Sequence, residues 1–369
     1  MKLPWSKSET KSAPPLVALA QLPNAAWGRS DPAALVRDGY IGNAIAYRCT
    51  RMIAEAAASI AFKASDPSVL ALLREPSPDE SGQALLERAY TDLQVTGNAW
   101  IEAVTLTGDA RPRGLFGLPV DRVGIRHNRD GQLTGYTVKQ PRGERTLAHA
   151  PDGWSPVLHL KLYHPTDGVY GLSPLAAARK SLDVHNGAAA WAKALIDNAA
   201  RPSGALMYGK DGGRLSDDQF ERLKQQLSAE HAGASNAGRP LLLEGGLDWR
   251  PMSLSPVEMD FTATRHAAAR EIALAFGVPP MLLGIPGDNT YATYKEAHLA
   301  FWRLTILPLV QKTANALTVW MRGRFYGVTI EPDLEQAPAF AAEREALWAR
   351  VSAADFLSRD EKRALLGLS

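Results

Sequence analysis

The segment that decides the fold is "AFGVPPMLLGIPGDNTYATYKEA", residues 275–297. Both of its ends have helical composition, but Val278-Pro279-Pro280 breaks the first helix and a run rich in Gly and Pro follows. An irregular stretch of this length between two strong helices is usually functional or disordered rather than a simple connector. We therefore predict a functional loop carried between two rigid helices.

The composition is that of an ordinary soluble globular protein. The chain has 369 residues, 46% hydrophobic and 22% charged, which is enough for two or three cores. A formal net charge of +2 is no signature of tight DNA binding, although it does not exclude a DNA partner. The single cysteine, Cys49, rules out an internal disulfide framework, indicates a reducing compartment, and is expected to be a small buried side chain.

Neither a transmembrane span nor a signal peptide is expected. The most apolar helical run, 187–196, is short and contains Lys193. The apolar run near the N-terminus is brief and bounded by prolines. Residues 1–30 mix Pro, Ser, Lys and Ala without a period, so we predict a flexible tail there.

Residues 31–172 have the pattern of one α+β domain. Apolar residues at steps of three and four predict an amphipathic helix, and Ser81 is the expected N-cap of a second helix that ends near Val95. The runs "AWIEAVTL", "RVGIRH", "LTGYTVK" and "PVLHLKLY" predict strands. The apolar stripe of the first helix consists of Ile41, Ile45, Cys49, Met52, Ile53, Ala56 and Ile60.

Two long helices with an insertion between them follow. Residues 173–199 predict one continuous helix about 39 Å long, with Ser173 as its cap and Pro174 at its first position. Residues 200–254 predict a compact insertion, and 255–278 predict the second long helix. The insertion is expected to contain the strand "SGALMY", a helix capped by Ser216 and a hairpin turning at Gly245-Gly246.

A third long helix is predicted from about Tyr294 to Arg322, with a kink at Pro308. The run "GVTIEP" predicts a strand. A final helical pair is expected at about 338–351 and 353–366.

The sequence contains no complete catalytic, metal or cofactor site. Gly204 to Lys210 has the spacing of a phosphate-binding loop, but Asp211 stands where Ser or Thr is required, and residues 205–208 read as a strand. His159 and His164 are an odd number apart, so they point to opposite faces of a strand and cannot share a metal. We therefore predict a non-enzymatic protein without a cofactor or a bound metal.

Five stretches together closely resemble the portal proteins of HK97-type tailed phages. They are "YGLSPLAAAR", "NAARPSGAL", "NAGRPLLLEGGLDW", "REIALAFGVPPMLLG" and "NTYATYKEAHLAFWRLTILPL", and their order and spacing also fit. The resemblance covers roughly residues 40–335, with its specific part at 168–310, and "GNAWIEA" at 97–103 agrees with it. The chain is short for that family and Ala-rich, which leaves open a portal of a gene transfer agent particle.

This resemblance implies an α+β portal fold and a ring, usually dodecameric, at one capsid vertex of a virion assembled in the host cytoplasm. Double-stranded DNA would pass through the centre independently of its sequence. The terminase large subunit, a head-completion adaptor and the major capsid protein would be partners, and a membrane would not. The implied parts are a wing at 31–172, stem helix one at 173–199, a clip at 200–254, stem helix two at 255–278, a tunnel loop at 279–293, a tunnel helix and wing return strand at 294–335, and a crown at 336–369.

The same resemblance places the DNA channel at the tunnel loop. Arg265, Arg270 and Lys295 are candidate channel charges, while pairing between subunits with Glu258, Asp260 and Glu271 explains the basic residues equally well. Two alternatives are another head or tail ring adaptor without motor contact and, less favoured, a DNA-processing nuclease or ATPase. The loop residues expected to face DNA are Ile285, Pro286, Gly287, Asp288, Asn289, Thr290 and Tyr291.

Overall fold

The computed structural model describes most of the chain outside the tail and the insertion. The described residues are 32–197, 204–208, 216, 218, 221–222, 247–251, 261–286 and 291–366. Several predictions fall outside this part of the chain: the N-terminal tail, most of the helix capped by Ser216, the turn at Gly245-Gly246, the start of the second long helix, and residues 287–290 of the loop.

The N-terminal helices begin and end at the residues that cap them. Ser81 accepts from the backbone N–H of Ala84, and Gly97, at φ 79°, ends the helix that follows, as the sequence predicted. Ile41 is 73% exposed because it precedes the amphipathic helix, so the predicted apolar stripe begins inside that helix and not at Ile41. The helices are α1 Pro32–Ala34, which continues as a π-helix over Leu35–Ile41, then α2 Ala44–Ala58, α3 Pro67–Arg74 and α4 Gly82–Thr96.

Two three-stranded antiparallel sheets follow, in the orders β3-β2-β7 and β4-β5-β6. The four strands predicted from alternating apolar residues are confirmed as β2, β4, β5 and β7, whereas β3 and β6 were not predicted. The bounds are β1 Phe62–Ala64, β2 Asn98–Thr105, β3 Pro112–Leu118, β4 Val123–His127, β5 Leu133–Gln140, β6 Gly143–Ala148 and β7 Val157–Lys161.

The first long helix is interrupted, contrary to the prediction of one continuous rod. It consists of α5 Pro174–Ala177 and α6 Arg179–Asp197. Ser173 caps α5 as predicted. The helix breaks at Ala178, where ψ is 1°, because Leu175 packs fully buried in the core beside α4 while α6 turns to lie along the second long helix.

Two strands bracket the insertion. The predicted strand is confirmed as β8 Gly204–Tyr208, and it pairs antiparallel with β9 Leu247–Pro251. The stretch with phosphate-loop spacing is therefore a strand up to Tyr208. Gly209, Lys210 and Asp211 lie outside the described residues.

The C-terminal third begins with the second long helix, α7 Phe261–Phe276, and a 3₁₀ turn over Pro280–Leu283. The third long helix starts at Tyr291, three residues earlier than predicted, so Tyr291 is helical. The remaining elements are α8 Tyr291–Phe301, a π-helix over Trp302–Ile306, α9 Leu307–Arg322, β10 Ile330–Pro332, 3₁₀ turns over Leu334–Gln336 and Pro338–Phe340, α10 Ala341–Ala353 and α11 Arg359–Leu365.

Pro308 acts on its helix through a π-helical turn. The N–H of Leu307 donates to the carbonyl of Trp302, five residues back. Since Pro308 has no backbone N–H to donate, the helix forms one π-helical turn before regular α-helical hydrogen bonding resumes. The predicted disturbance at Pro308 is confirmed, and its form is a wide turn.

One apolar core joins the N-terminal and C-terminal halves. Ile53 of α2, Tyr90 of α4, Ile272 of α7 and Leu317 of α9 belong to the same buried cluster. The strand predicted at "GVTIEP" is β10, which pairs antiparallel with β1. Among the described residues, no helix combines the length and hydropathy needed to cross a bilayer.

Candidate functional site

The loop between α7 and α8 starts from a fixed base, residues 277–286, which we call the loop foot. Gly277 and Gly284 both adopt left-handed φ values, 68° and 69°. A Cβ on Gly277 would lie 2.8 Å from the hydroxyl oxygen of Thr305, so only glycine fits. That hydroxyl donates to the Gly277 carbonyl at 2.6 Å, and the Val278 N–H donates to Ala273 at 2.9 Å. These contacts fix the direction in which the chain leaves α7.

The predicted loop residues divide into those of the foot and those beyond it. Ile285 is only 5% exposed, so its side chain holds the foot in place and offers no surface to a ligand. Pro286 is exposed, and its carbonyl accepts from the guanidinium of Arg270. Tyr291 is the first residue of α8. Residues 287–290, which we call the loop tip, lie outside the described part of the chain: Gly287, Asp288, Asn289 and Thr290.

The three candidate basic residues have different surroundings. Arg270 is occupied by the Pro286 carbonyl and thereby ties α7 to the loop foot. Arg265 lies five residues earlier on the same helix and donates from its Nε to Nε2 of His185 at 3.4 Å. Lys295 is exposed on α8. Of the acids proposed as partners between subunits, Glu271 accepts from the hydroxyl of Ser181 at 2.5 Å within the chain, while 258 and 260 are not described.

A buried polar network connects α2 to α6 beside Arg265. Asn43 is 2% exposed, and its Oδ1 accepts from the backbone N–H groups that start α2. Its Nδ2 lies 2.7 Å from Oδ1 of Asn186 and 3.0 Å from Nδ1 of His185. Asn186 in turn donates to the carbonyl of Asp38 at 2.9 Å. The network fixes the plane and the orientation of the His185 ring.

The sequence analysis missed this network. Asn directly before an amphipathic helix is a standard N-cap signal, so Asn43 could have been found. The pairing of Asn43 with His185 could not, because it depends on how α2 packs against α6.

Beside His185 a groove of about 420 Å³ lies between α6 and α7. His185, Thr262, Arg265 and His266 contribute its polar side chains, and residues 283–286 of the loop foot form one wall. The helices run antiparallel there, with buried Ala188 on one and buried Ala269 on the other, so small side chains allow a close approach. The groove therefore touches both stem helices and the loop.

No group of three or more His, Cys, Asp or Glu side chains in the described part of the chain could hold a metal ion. Burial raises the pKa of the Cys49 thiol to about 12, which keeps it protonated and unreactive. His298 accepts from Nε1 of Trp302 at 3.3 Å, so it takes part in a contact within its own helix.

Comparison with known proteins gives a consistent match. The family model described as phage portal protein matches residues 44–367. An uncharacterised protein of Rickettsia bellii (strain RML369-C) is 40% identical over 375 residues, which covers 99% of this chain and 95% of the relative.

Two solved structures also resemble the chain. A chain in the neck of a native gene transfer agent particle, computed with C12 symmetry, is 48% identical with a TM-score of 0.71, covering 93% of this chain and 95% of that one. An HK97-family phage portal protein from Corynebacterium diphtheriae shares the fold at 15% identity, with a TM-score of 0.59 and coverage of 83% and 96%.

Proposed function

This chain belongs to the phage portal protein family and serves as a portal channel for DNA packaging, and we propose that it does so as a ring of twelve identical subunits at one vertex of a virion. The twelvefold symmetry used for the related gene transfer agent neck supports that number. The high identity to that chain, 48%, also supports a gene transfer agent particle as its setting.

The observation that carries the channel proposal is the construction of the loop foot. The chain leaves α7 through two left-handed glycines, is held by Arg270 at the Pro286 carbonyl, and re-enters a helix at Tyr291. A short tip fixed at both ends can project from a subunit without displacing the helices that carry it. We propose that the tip, residues 287–290, lines the channel in each subunit.

The chemistry of the tip suits a conduit that must not hold its cargo. Each phosphate neutralised by Lys or Arg changes the logarithm of affinity for duplex DNA with a salt slope of about −0.9. Ring symmetry would repeat any such contact in every subunit, so one basic residue at the tip would bind DNA tightly. Asp288, Asn289 and Thr290 carry no positive charge, and Arg270 is engaged with a carbonyl. Sliding therefore remains easy.

The insertion between the two stem helices is the proposed docking site for the terminase large subunit and later for the head-completion adaptor. Its first and last described strands, β8 and β9, pair with each other, so the chain enters and leaves the insertion side by side. We further propose that the final helices, α10 and α11, belong to a crown on the capsid side, where the major capsid protein surrounds the ring.

Charge at the tip provides the test of the channel. The double variant Asp288→Lys and Asn289→Lys should slow or stall packaging and shorten the packaged DNA, because every subunit then binds phosphates. A matched control, Asp130→Lys with Gln132→Lys, makes the same change of charge in an exposed turn. Rings seen end-on by electron microscopy that package DNA of normal length in the tip variant would overturn the channel assignment.

Docking is tested separately. Replacing residues 209–246 by a short linker should leave the apolar core intact and abolish co-purification with the terminase. Retained co-purification would refute the docking assignment while leaving the channel proposal in place.

A further inference from the structure

An open groove of about 710 Å³ lies between residues 294–302 and residues 339–346, and we call it the crown groove. Two contacts join its walls. The ring of Trp302 packs edge-on against Phe340 with the centroids 6.2 Å apart, and the guanidinium of Arg303 donates to Glu343 at 2.7 Å. The single subunit therefore holds the groove open without help from a partner.

The crown groove has an apolar floor. Ala342 and Ala346 lie one turn apart on one face of α10, and Leu299 and Trp302 line the groove from the other wall. Because alanine side chains are short, the floor leaves room for a large apolar group that enters from outside the subunit.

The same pair of helices carries two aromatic side chains that the subunit leaves in solvent. Phe356, in the turn between α10 and α11, is 87% exposed, and Trp348 of α10 is 49% exposed. Trp348 follows Ala346 by two residues, which is about 200° around the helix, so it lies on the side of α10 opposite the crown groove. One side of this helical pair thus presents an apolar groove, and the other presents the aromatic groups that fit it.

The charges beside the two surfaces are complementary. Lys295 and Glu296 stand on the rim of the crown groove, while Asp355 and Arg359, both exposed, flank Phe356 in sequence. Each surface therefore offers one cation and one anion. Pairing Lys295 with Asp355 and Glu296 with Arg359 across a contact would offset all four charges.

We propose that Phe356 and Trp348 of each subunit pack into the crown groove of the next subunit around the ring. A ring that closes by rotation joins two different surfaces of one chain at every interface, which is the arrangement that a groove on one side and aromatic groups on the other require. This contact rests on the proposed ring, which the C12 symmetry of the related neck supports. The two aromatic side chains would bury roughly 150–250 Å² each.

Cysteine cross-linking tests the contact, because the chain's own thiol, Cys49, is buried and stays protonated. The double variant Lys295→Cys and Asp355→Cys places one thiol on each surface and keeps both aromatic side chains. Oxidation of its rings should give a ladder of covalent multimers on a denaturing gel, since a head-to-tail contact links each copy to two neighbours.

Two controls accompany this variant. Lys295→Cys with Gln132→Cys, whose second thiol lies in an exposed turn of the β4-β5 hairpin, should stay monomeric on the gel. Asp355→Cys alone should also stay monomeric, because like surfaces do not meet in a head-to-tail contact. Dimers of Asp355→Cys alone, or rings of the double variant that give no ladder, would overturn the proposal.

Removal of the aromatic side chains gives a second measurement. Trp348→Ser with Phe356→Ser should leave the urea midpoint of the isolated subunit unchanged, because both residues are exposed, and should lower the yield of rings in end-on electron micrographs at least about tenfold. Leu106→Ser with Leu133→Ser, at two exposed positions of the strands, should leave the yield unchanged. A normal yield of rings in the aromatic variant would refute this contact while leaving the ring in place, and would assign the two side chains to a different partner. Absence of rings in the wild-type protein would overturn the proposed ring itself, so the two failures are distinguishable.

Discussion

Two histidines, the half-buried His159 and the buried His185, each contact an asparagine, but through different atoms of its amide. Nε2 of His159 lies 3.0 Å from Oδ1 of Asn98, an acceptor, and its ring stacks on Trp100 at 4.9 Å. Nδ1 of His185 instead lies 3.0 Å from the amide nitrogen of Asn43, and its Nε2 accepts from Nε of Arg265 at 3.4 Å. His159 thus bonds to a side-chain oxygen, whereas His185 lies between an amide nitrogen and a guanidinium.

Burial does not distinguish the two rings, since it is the main cause that lowers the pKa of each. Their partners do: His159 bonds to Asn98 and stacks on Trp100 within one sheet, while His185 of α6 contacts Asn43 before α2 and Arg265 of α7. Variants around His159 should therefore alter the stability of the sheet, and variants around His185 the packing of three helices.

The largest expected effect is at Asn98. Its side chain bonds to Thr96, to His159 and twice to Gly171, and it is 5% exposed. Asn98→Ala should lower the free energy of unfolding by about 3 kcal/mol, because several buried groups lose their partners at once. Urea denaturation at a fixed subunit concentration measures this. Asn315→Ala, at an exposed helix position, serves as the control and should change stability by less than about 0.5 kcal/mol.

The pH dependence of stability should single out His159. Its pKa is lowered to about 4 in the folded chain, chiefly by burial and secondarily by Lys161, against about 6.5 when unfolded. Between these two pKa values the unfolded state binds more protons than the folded state. The stability that the neutral ring contributes is therefore complete above pH 6.5 and is lost as the pH falls toward 4.

Allowing for the partial exposure of His159, we expect the free energy of unfolding to fall by about 2 kcal/mol over that pH range. The difference between wild-type and His159→Gln denaturation curves isolates it from other titrating groups. Substituting the exposed His127 by Gln should leave the wild-type slope intact, and an unchanged slope in His159→Gln would contradict the assignment.

Asn43 can be used to separate its two roles. Asn43→Ala removes the N-cap of α2 and should cost about 1–2 kcal/mol of unfolding free energy. Asn43→Asp keeps the cap oxygen but removes the amide donor to Oδ1 of Asn186 in a site that is 2% exposed. Only part of the lost stability should therefore return in Asn43→Asp, which urea denaturation of the two variants measures. Equal stability of Asn43→Asp and the wild-type protein would show that the amide nitrogen contributes nothing.

The sequence could predict those parts that depend on local signals. Three helix ends were predicted correctly, at Ser81, at Ser173 and before Pro279-Pro280. Such predictions succeed because caps and prolines act within a few residues. The interruption at Ala178 was missed because it depends on Leu175 entering a distant core.

The candidate site also combines features that the local sequence predicts with contacts that it does not. The loop was predicted from the change in composition between two helices. The glycines at which the loop foot turns, Gly277 and Gly284, can also be read from the sequence. The groove was not, because it requires His185 of α6 to meet Arg265 of α7 and Asn43 of α2. Such contacts across elements are set by packing, which periodicity does not encode.

The smallest expected change is the loss of stability in Arg265→Gln. An arginine that satisfies a buried acid should be costly to remove. Nη1 of Arg145 donates at 2.8 Å to Glu102, whose side chain is 7% exposed, and Arg145→Gln should cost about 3 kcal/mol by leaving that carboxylate buried and unpaired. Arg265 donates instead to Nε2 of His185 over a long 3.4 Å contact, and the amide nitrogen of a glutamine there can also donate to that ring nitrogen. Its replacement should lower the free energy of unfolding by less than about 1 kcal/mol. A loss of stability in Arg265→Gln as large as that in Arg145→Gln would mean that Arg265 has a further partner within the chain.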